Sequence, residues 1–296
     1  MESAGHFPVL LPEVLEQLQP SARAWIVDCT VGLGGHAEAL LERSGEQARL
    51  IGVDLDESNL LSTKERLRRF GGRVRLFQAN YSDLDQVLAE VGIDRVDALL
   101  ADLGVSSTQL DQPERGFSFQ ADGPLDMRMR REGPTAADLV NQASEKELAD
   151  LIWRYGEERY SRRIARAIAA ARVHGRIERT AELSRIVASA VPRRGAEKIH
   201  PATRTFQAIR IAVNSELESL ERLLELVPRV LGVGGRAAII SFHSLEDRLV
   251  KQAFADAARS GLGKLLTSKP LQAAPHELAV NPRSRSAKLR ALERIR

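Results

Sequence analysis

Four short apolar runs recur at near-even spacing along the first third of the chain: AWIVD (24–28), LIGVD (50–54), VRLFQ (74–78) and VDALLAD (96–102). Each ends near an acid, Asn or Gln. Between them lie stretches whose apolar residues return every three or four positions, such as AEALLER (37–43) and ESNLLSTKERLRRF (57–70). Strands that are apolar throughout and alternate with amphipathic helices predict a parallel sheet covered on both faces. The fold class is therefore α/β, doubly wound and mostly parallel. A fifth run, RAAIISF (236–242), returns only after a long gap and reads as the next strand of that sheet, and SAKLRALERI (286–295) alternates as a late strand.

The gap has a different pattern. Residues 104–133 show no sustained period and are rich in Gly, Pro, Ser, Asp and Arg, the composition of a long functional or disordered loop. Helix signals follow: Thr135 with Asp138 and Ser144 with Glu147 have capping-box spacing, and amphipathic stretches cover 161–173 and 180–191. A long helix is predicted over 205–230, with Ile209, Val213, Leu217, Leu220, Leu224 and Val227 on the buried face. Residues 244–259 form another helix, begun by Ser244 and Asp247 at capping-box spacing. These signals divide the chain into a sheet domain, 1–108 with 204–296, and a mainly helical insertion, 109–203.

Composition narrows the class. Hydrophobic residues make up 43% of 296 and glycines number 21, which suits a globular protein and excludes disorder of the whole chain. The single cysteine, Cys29, excludes an internal disulfide or a thiolate zinc cluster, so no metal is expected and a reducing compartment fits. The start of the chain carries Glu2 and only a short apolar stretch, and no segment approaches a membrane span, so a soluble, cytoplasmic protein is expected. The net charge is only +3, yet the last sixteen residues hold six Arg or Lys against one Glu. That edge suits a polyanion or is a solvated terminal element. Aromatics at 4% argue against broad base-stacking platforms.

Ligands in such sheets bind at the carboxyl ends of the strands, where strand order reverses. The first strand runs into DCTVGLGGHA (28–37), whose Gly32, Gly34 and Gly35 permit a tight turn into a helix N-terminus. The match to a dinucleotide fingerprint is weak by itself. Asp28 can receive a cationic amino group, whereas a pyrophosphate there would be repelled. S-adenosylmethionine has that ammonium and NAD does not. Asp54, at the end of the second strand, is placed to accept from ribose hydroxyls, which both cofactors possess. Turn capping is the alternative role for both acids. Asp102 closes the fourth strand, where it can hold a cofactor, orient a nucleophile or simply shape an Asp-Leu-Gly turn.

Seven blocks together, HFPVLLPEVL (6–15), DCTVGLGGHAEALLE (28–42), ADLGVSSTQLDQPERGFSFQADGPLDMRM (101–129), RYGEERYSRRIARAI (154–168), HPATRTFQAIRIAVNSEL (200–217), SFHSLEDRLVK (241–251) and NPRSRSAKLRALER (281–294), resemble the bacterial 16S ribosomal RNA cytosine-N(4)-methyltransferase family. The resemblance spans essentially the whole chain. It implies a Rossmann-like methyltransferase with a helical insertion, using S-adenosylmethionine to methylate the exocyclic amine of a cytidine in the decoding region of 16S rRNA, within the small ribosomal subunit. It also implies cofactor contacts at Gly34, Gly35, His36, Asp54, Tyr81, Asp102 and Gln109. Tyr81 stands where the family carries Phe, so ring packing against adenine is retained.

Many amino-methyltransferases place an Asn/Asp-Pro-Pro-aromatic element after the fourth strand. Here that place reads Asp102-Leu-Gly-Val-Ser-Ser, so amine specificity rests on the resemblance. Candidates for orienting the base are Asp102, Ser106 and His243. Phe117 and Phe119 either stack the base or anchor the loop, and Ser106 and Ser107, which Gln109 follows, can also be helix-start residues. Candidate phosphate contacts are Arg115, Arg128, Arg204, Arg210, Arg283, Arg285 and Lys288, each of which can also be an ordinary surface charge. The competing classes are a methyltransferase acting on another RNA, a protein or a small molecule, an NAD(P)-dependent oxidoreductase, and a non-catalytic RNA-binding protein.

Overall fold

The computed structural model describes residues 7–192 and 199–296; Glu2, used in the N-terminal reading, lies outside them. Among the described residues, seven strands form one sheet: β1 (Trp25–Asp28), β2 (Arg49–Asp54), β3 (Val74–Gln78), β4 (Val96–Asp102), β5 (Leu231–Ser241), β6 (Gly263–Leu265) and β7 (Lys288–Arg294). Their spatial order is β3-β2-β1-β4-β5-β7-β6. The first five run parallel, and β7 is antiparallel to both β5 and β6. The chain winds outward from β1 to β2 and β3, then returns beside β1 as β4. Strand order thus reverses between β1 and β4, and their carboxyl ends border the crevice where such sheets bind ligands.

Period-two alternation sends neighbouring residues to opposite faces. Val27, Ile51, Leu99 and Ile239 pack on one side with the helices Leu84–Val91, Glu216–Val230 and Ser244–Arg259. Ile26, Leu50, Leu100 and Ile240 pack on the other with Leu11–Leu18 and Gly35–Arg43. Both sides are apolar because both are covered, which is why the strands lack polar alternation. Edge strand β6 went unpredicted: three residues carry no readable period. Its place is fixed by packing, since a Cβ on Gly263 would stand 2.8 Å from Leu292.

The chain divides into two compact units, Met1–Gly104 with Leu217–Arg296, and Val105–Glu216. These boundaries differ from the predicted 108/109 and 203/204. The predicted helix over 205–230 is in fact two, Thr203–Asn214 and Glu216–Val230, separated by Ser215 in the left-handed region (φ 49°). The first half belongs to the second unit because Phe206 and Ile209 enter its core with Leu125, Met127, Val140, Ile152, Ile164 and Val187. Both predicted capping boxes, Thr135 with Asp138 and Ser144 with Glu147, start helices of that unit. The segment read as an irregular loop contains a short helix, Ser107–Asp111, and a 3-10 turn, Pro113–Arg115.

Candidate active site

Three carboxylates stand at the carboxyl ends of adjacent strands: Asp28 on β1, Asp54 on β2 and Asp102 on β4. Their surroundings differ. Asp54 is the organiser of the glycine turn. One of its oxygens accepts from Gly32 N at 2.9 Å, the other from Asp56 N at 2.8 Å, and Asn59 Nδ2 lies 3.3 Å from both. Burial still outweighs these bonds and raises its pKa to about 6.

Asp28 is 1% exposed, with Oδ1 accepting from Thr30 N at 3.1 Å. Its Oδ2 is buried with no hydrogen-bond partner among the described residues. Burial, opposed by the Thr30 bond and reinforced by Asp54, raises this carboxyl to about 7. Asp102 also keeps a buried, unpartnered oxygen, Oδ1. Burial first, then the nearby Asp28 and Glu246, hold its pKa well above the usual carboxylate range. Uncompensated carboxylate oxygens gathered at a switch point are costly unless a cation meets them.

The glycine turn supplies shape. Gly34 adopts φ 79° and caps the helix Gly35–Arg43. A Cβ on Gly35 would stand 2.6 Å from Pro8 Cγ, so this glycine is required by close packing of the N-terminal segment. His36 is buried rather than a surface histidine: its Nε2 lies 2.8 Å from the carbonyl of Val9. A carbonyl only accepts, so Nε2 carries the proton. The other ring nitrogen, Nδ1, lies 3.8 Å from Asp102 Oδ2. Thr30, which the sequence reading missed, ties the cluster together: its hydroxyl accepts from Asp102 N at 2.6 Å while its own N–H serves Asp28. Tyr81 opens a 3-10 turn after β3 and packs half-buried against the core.

Two of the base-orienting candidates have other duties. His243, not Ser244, is the N-cap of Ser244–Arg259; its Nδ1 accepts from Glu246 N at 3.4 Å, and Nε2 lies 3.2 Å from Glu246 Oε1. Predicted capping partner Asp247 instead binds Arg290 at 2.7 Å and Lys288 at 3.3 Å. In the second unit, Ser106 and Gln109 close a capping box: Ser106 N donates to Gln109 Oε1 at 3.0 Å, and Ser106 Oγ accepts from Gln109 N at 3.3 Å.

Most predicted RNA contacts are consumed within the fold. Arg128 grips Asp126 with two bonds of 2.8 Å and donates to the carbonyls of Arg131 and Gly133. Arg115 donates to the carbonyls of Arg128 and Met129, and its guanidinium covers Phe117. Arg210 forms a two-bond pair with Glu216 across the helix break at Ser215, both bonds 2.8 Å. Arg204 reaches the Glu157 carbonyl and lies 3.8 Å from Glu158. Lys288 is held by Asp247. Phe117 is buried in the helical core, and Phe119 stacks at 4.7 Å on His200 and 4.9 Å on Phe206, so both anchor the loop instead of presenting a stacking face. Arg283 and Arg285 stay exposed on the turn Pro282–Ser286.

No helix among the described residues is long and apolar enough to cross a membrane. Among solved structures, a crystal structure described as a putative rRNA methylase from Clostridium thermocellum aligns over 99% of both chains at 12% identity and a TM-score of 0.49. Curated relatives are far nearer. The chain is 49% identical to ribosomal RNA small subunit methyltransferase H of Geobacter sp. (strain M21), covering all of both chains. It is 52% identical to the protein of that name from Geobacter sulfurreducens, over 98% of this chain and 99% of the relative. A relative so named from Sorangium cellulosum is 50% identical over 98% of this chain and 91% of its own length. The profile of the MraW methylase family matches residues 3–295, which closes the oxidoreductase alternative: the chain belongs to the MraW methylase family.

Proposed function

We propose that the protein uses S-adenosylmethionine to methylate the exocyclic N4 amine of a cytidine in the decoding region of 16S rRNA, acting on the small ribosomal subunit in the cytoplasm. The observation that carries the cofactor reading is the pair of buried, unpartnered oxygens, Asp28 Oδ2 and Asp102 Oδ1, on neighbouring strands. S-adenosylmethionine carries two cationic centres, its sulfonium and its ammonium, against one carboxylate, so it compensates such a cluster where a pyrophosphate would be repelled. When bound it supplies an activated methyl group with a good leaving group, and no metal is needed for that chemistry.

The chain's own residues then divide the work. Asp28 receives the ammonium. Asp54, already fixed by Gly32 and Asp56, accepts from ribose hydroxyls in place of the two long 3.3 Å contacts from Asn59. Gly34 and Gly35 let the backbone approach closely, His36 holds the N-terminal segment against the turn, and Tyr81 offers a ring to the adenine. Gln109 contributes a side-chain amide on the loop that its capping box fixes.

A cytosine amine is a weak nucleophile because its lone pair is delocalised into the ring. The site must orient it and take up its proton density. We assign that role to Asp102, because it closes β4 at the switch point with Oδ1 unpartnered, and His36 Nδ1 stands 3.8 Å from its other oxygen. The helical second unit is the substrate-recognising part. Incubating small ribosomal subunits with labelled S-adenosylmethionine and digesting the rRNA to nucleosides tests the reading. Label in N4-methylcytidine supports it; label in another nucleoside, or in protein, overturns the assignment of the amine.

A further inference from the structure

The arginines first read as phosphate contacts are largely consumed inside the fold, which leaves open where the second unit grips a polyanion. The block 153–166, WRYGEERYSRRIAR, holds five arginines against two glutamates, an excess equal to the net charge of the whole chain. It joins the end of the helix Glu145–Gly156 to the start of Ser161–Ala171. On the second helix Ser161, Ile164, Ala165 and Ile168 face the core. Arg162, Arg163 and Arg166 fall on the opposite, solvent-facing side, and exposed Arg159 lies on the turn just before the helix.

What sets this stripe apart is its density of arginines beside aromatic rings. Elsewhere in the unit Arg128, Arg176, Arg179 and Arg210 are tied to Asp126, Asp138, Asp122 and Glu216, while exposed Arg130, Arg131 and Arg185 have no ion pair among the described residues and no ring beside them. Within the stripe only Arg166 has an ion pair, 3.6 Å from Glu145; Arg154, Arg159, Arg162 and Arg163 have none among the described residues. Aromatic rings are interleaved with them. Trp153 is 61% exposed and so presents its indole to solvent. Arg159 and Arg163 flank the ring of Tyr160 at 4.7 and 5.9 Å, and Arg154 lies 5.2 Å over Tyr155. Guanidinium groups with π faces beside them match a strand that presents phosphates and unstacked bases together.

We propose that Trp153, Arg154, Arg159, Arg162 and Arg163 form an RNA-docking surface of the second unit, the arginines meeting phosphates and Trp153 stacking on an unpaired base. This rests on the reading of an rRNA substrate. An anionic membrane would need an apolar face to insert, and the apolar face of Ser161–Ala171 is already buried in the core, so RNA is the better fit.

Binding of small ribosomal subunits is measured over a salt series for the wild type and for a variant with Arg159→Gln, Arg162→Gln and Arg163→Gln. The variant's affinity falls at least about tenfold at low salt, and the slope of log affinity against log salt becomes shallower by up to ~0.7–0.9 for each phosphate no longer neutralised. Its KM for subunits rises while cofactor affinity by calorimetry stays at the wild-type value. Trp153→Ala weakens binding about 5- to 100-fold with the slope unchanged. A triple Arg→Lys variant keeps the charges and retains most of the slope, which separates electrostatics from damage to the fold. If the wild type methylates subunits and the triple Gln variant matches its slope and KM, the surface is wrong while the function stands. If the wild type neither binds nor methylates subunits, both fall. Binding to phosphatidylglycerol vesicles that depends on these arginines, with RNA affinity unmoved, also overturns the proposal.

Discussion

The two units treat charge in opposite ways. In the first, three carboxylates converge at strand ends and two of their oxygens stay buried without partners. In the second, two guanidinium groups of the loop that follows Gly104 are tied into the fold: Arg115 donates to two carbonyls, and Arg128 makes five hydrogen bonds when its backbone donor to Asp126 is included. Charge left uncompensated inside a fold marks a place for a ligand, because evolution does not otherwise retain so large a desolvation cost. Charge that is fully satisfied marks architecture. The contrast separates cofactor chemistry from loop construction more sharply than residue type does.

The largest test acts on Asp28. Its folded pKa of about 7 lies above the ordinary value of 3.8, so the folded protein holds a proton that the unfolded chain has already released. Ligand-free stability therefore falls as pH rises from about 4 to about 7; Asp54 acts in the same sense up to about 6, and the raised Asp102 adds to the fall. Asp28→Asn removes its share of that slope and raises ligand-free stability at pH 8 by a few kcal/mol, while cofactor affinity drops. Thermal melts at pH 5 and pH 8 decide it: parallel behaviour of wild type and variant means that Asp28 carries no buried charge.

Next in size, Asp54→Ala weakens S-adenosylmethionine by ~1.5–3 kcal/mol through loss of charge-assisted hydrogen bonds. Calorimetry that finds unchanged affinity in a folded variant removes Asp54 from the site. Arg128→Ala sharpens the other half of the comparison. If the residue is architecture, stability falls by about 2 kcal/mol and the melting temperature drops with it. A variant of wild-type stability whose RNA binding alone loses salt dependence would return Arg128 to the substrate.

The smallest effect concerns the basic end of the chain. Lys288→Ala breaks a half-exposed pair with Asp247 and costs no more than about 0.5 kcal/mol. Because that ammonium is already paired, the salt dependence of RNA binding stays put. A shallower slope in the Lys288 variant would show that the pair opens to engage phosphate.

Sequence and structure agree best where the signal is local. Strands β3 and β4 occupy the predicted 74–78 and 96–102 without adjustment, because a short, mostly apolar run between helical stretches has few other uses in a covered sheet. Capping boxes at Thr135 and Ser144 were equally legible, since donor and acceptor sit three residues apart. The same local signal misled at Ser244: a serine and an acid at the right spacing lost to His243 and Glu246 one residue earlier, with the backbone of His243 extended at φ −136°. The helix break at Ser215 was invisible because apolar periodicity continues through it; the break is held by Arg210 and Glu216, not by a proline or glycine.

The sequence by itself determined the doubly wound core, the helical insertion and the positions of Asp28, Asp54 and Asp102 at strand ends. Each follows from periodicity and from the rule that strand termini carry the chemistry of such sheets. Only the tertiary structure decided which charges are spent. Thr30 reaches Asp102 across 72 residues, His36 reaches Val9 across 27, and Lys288 and Arg290 reach Asp247 across 41 and 43. A side chain's partner is set by how distant segments pack, and its desolvation by how completely they cover it. Neither leaves a period in the chain, so a buried carboxylate awaiting a cation and a solvated one that caps a turn look alike until the fold closes around them.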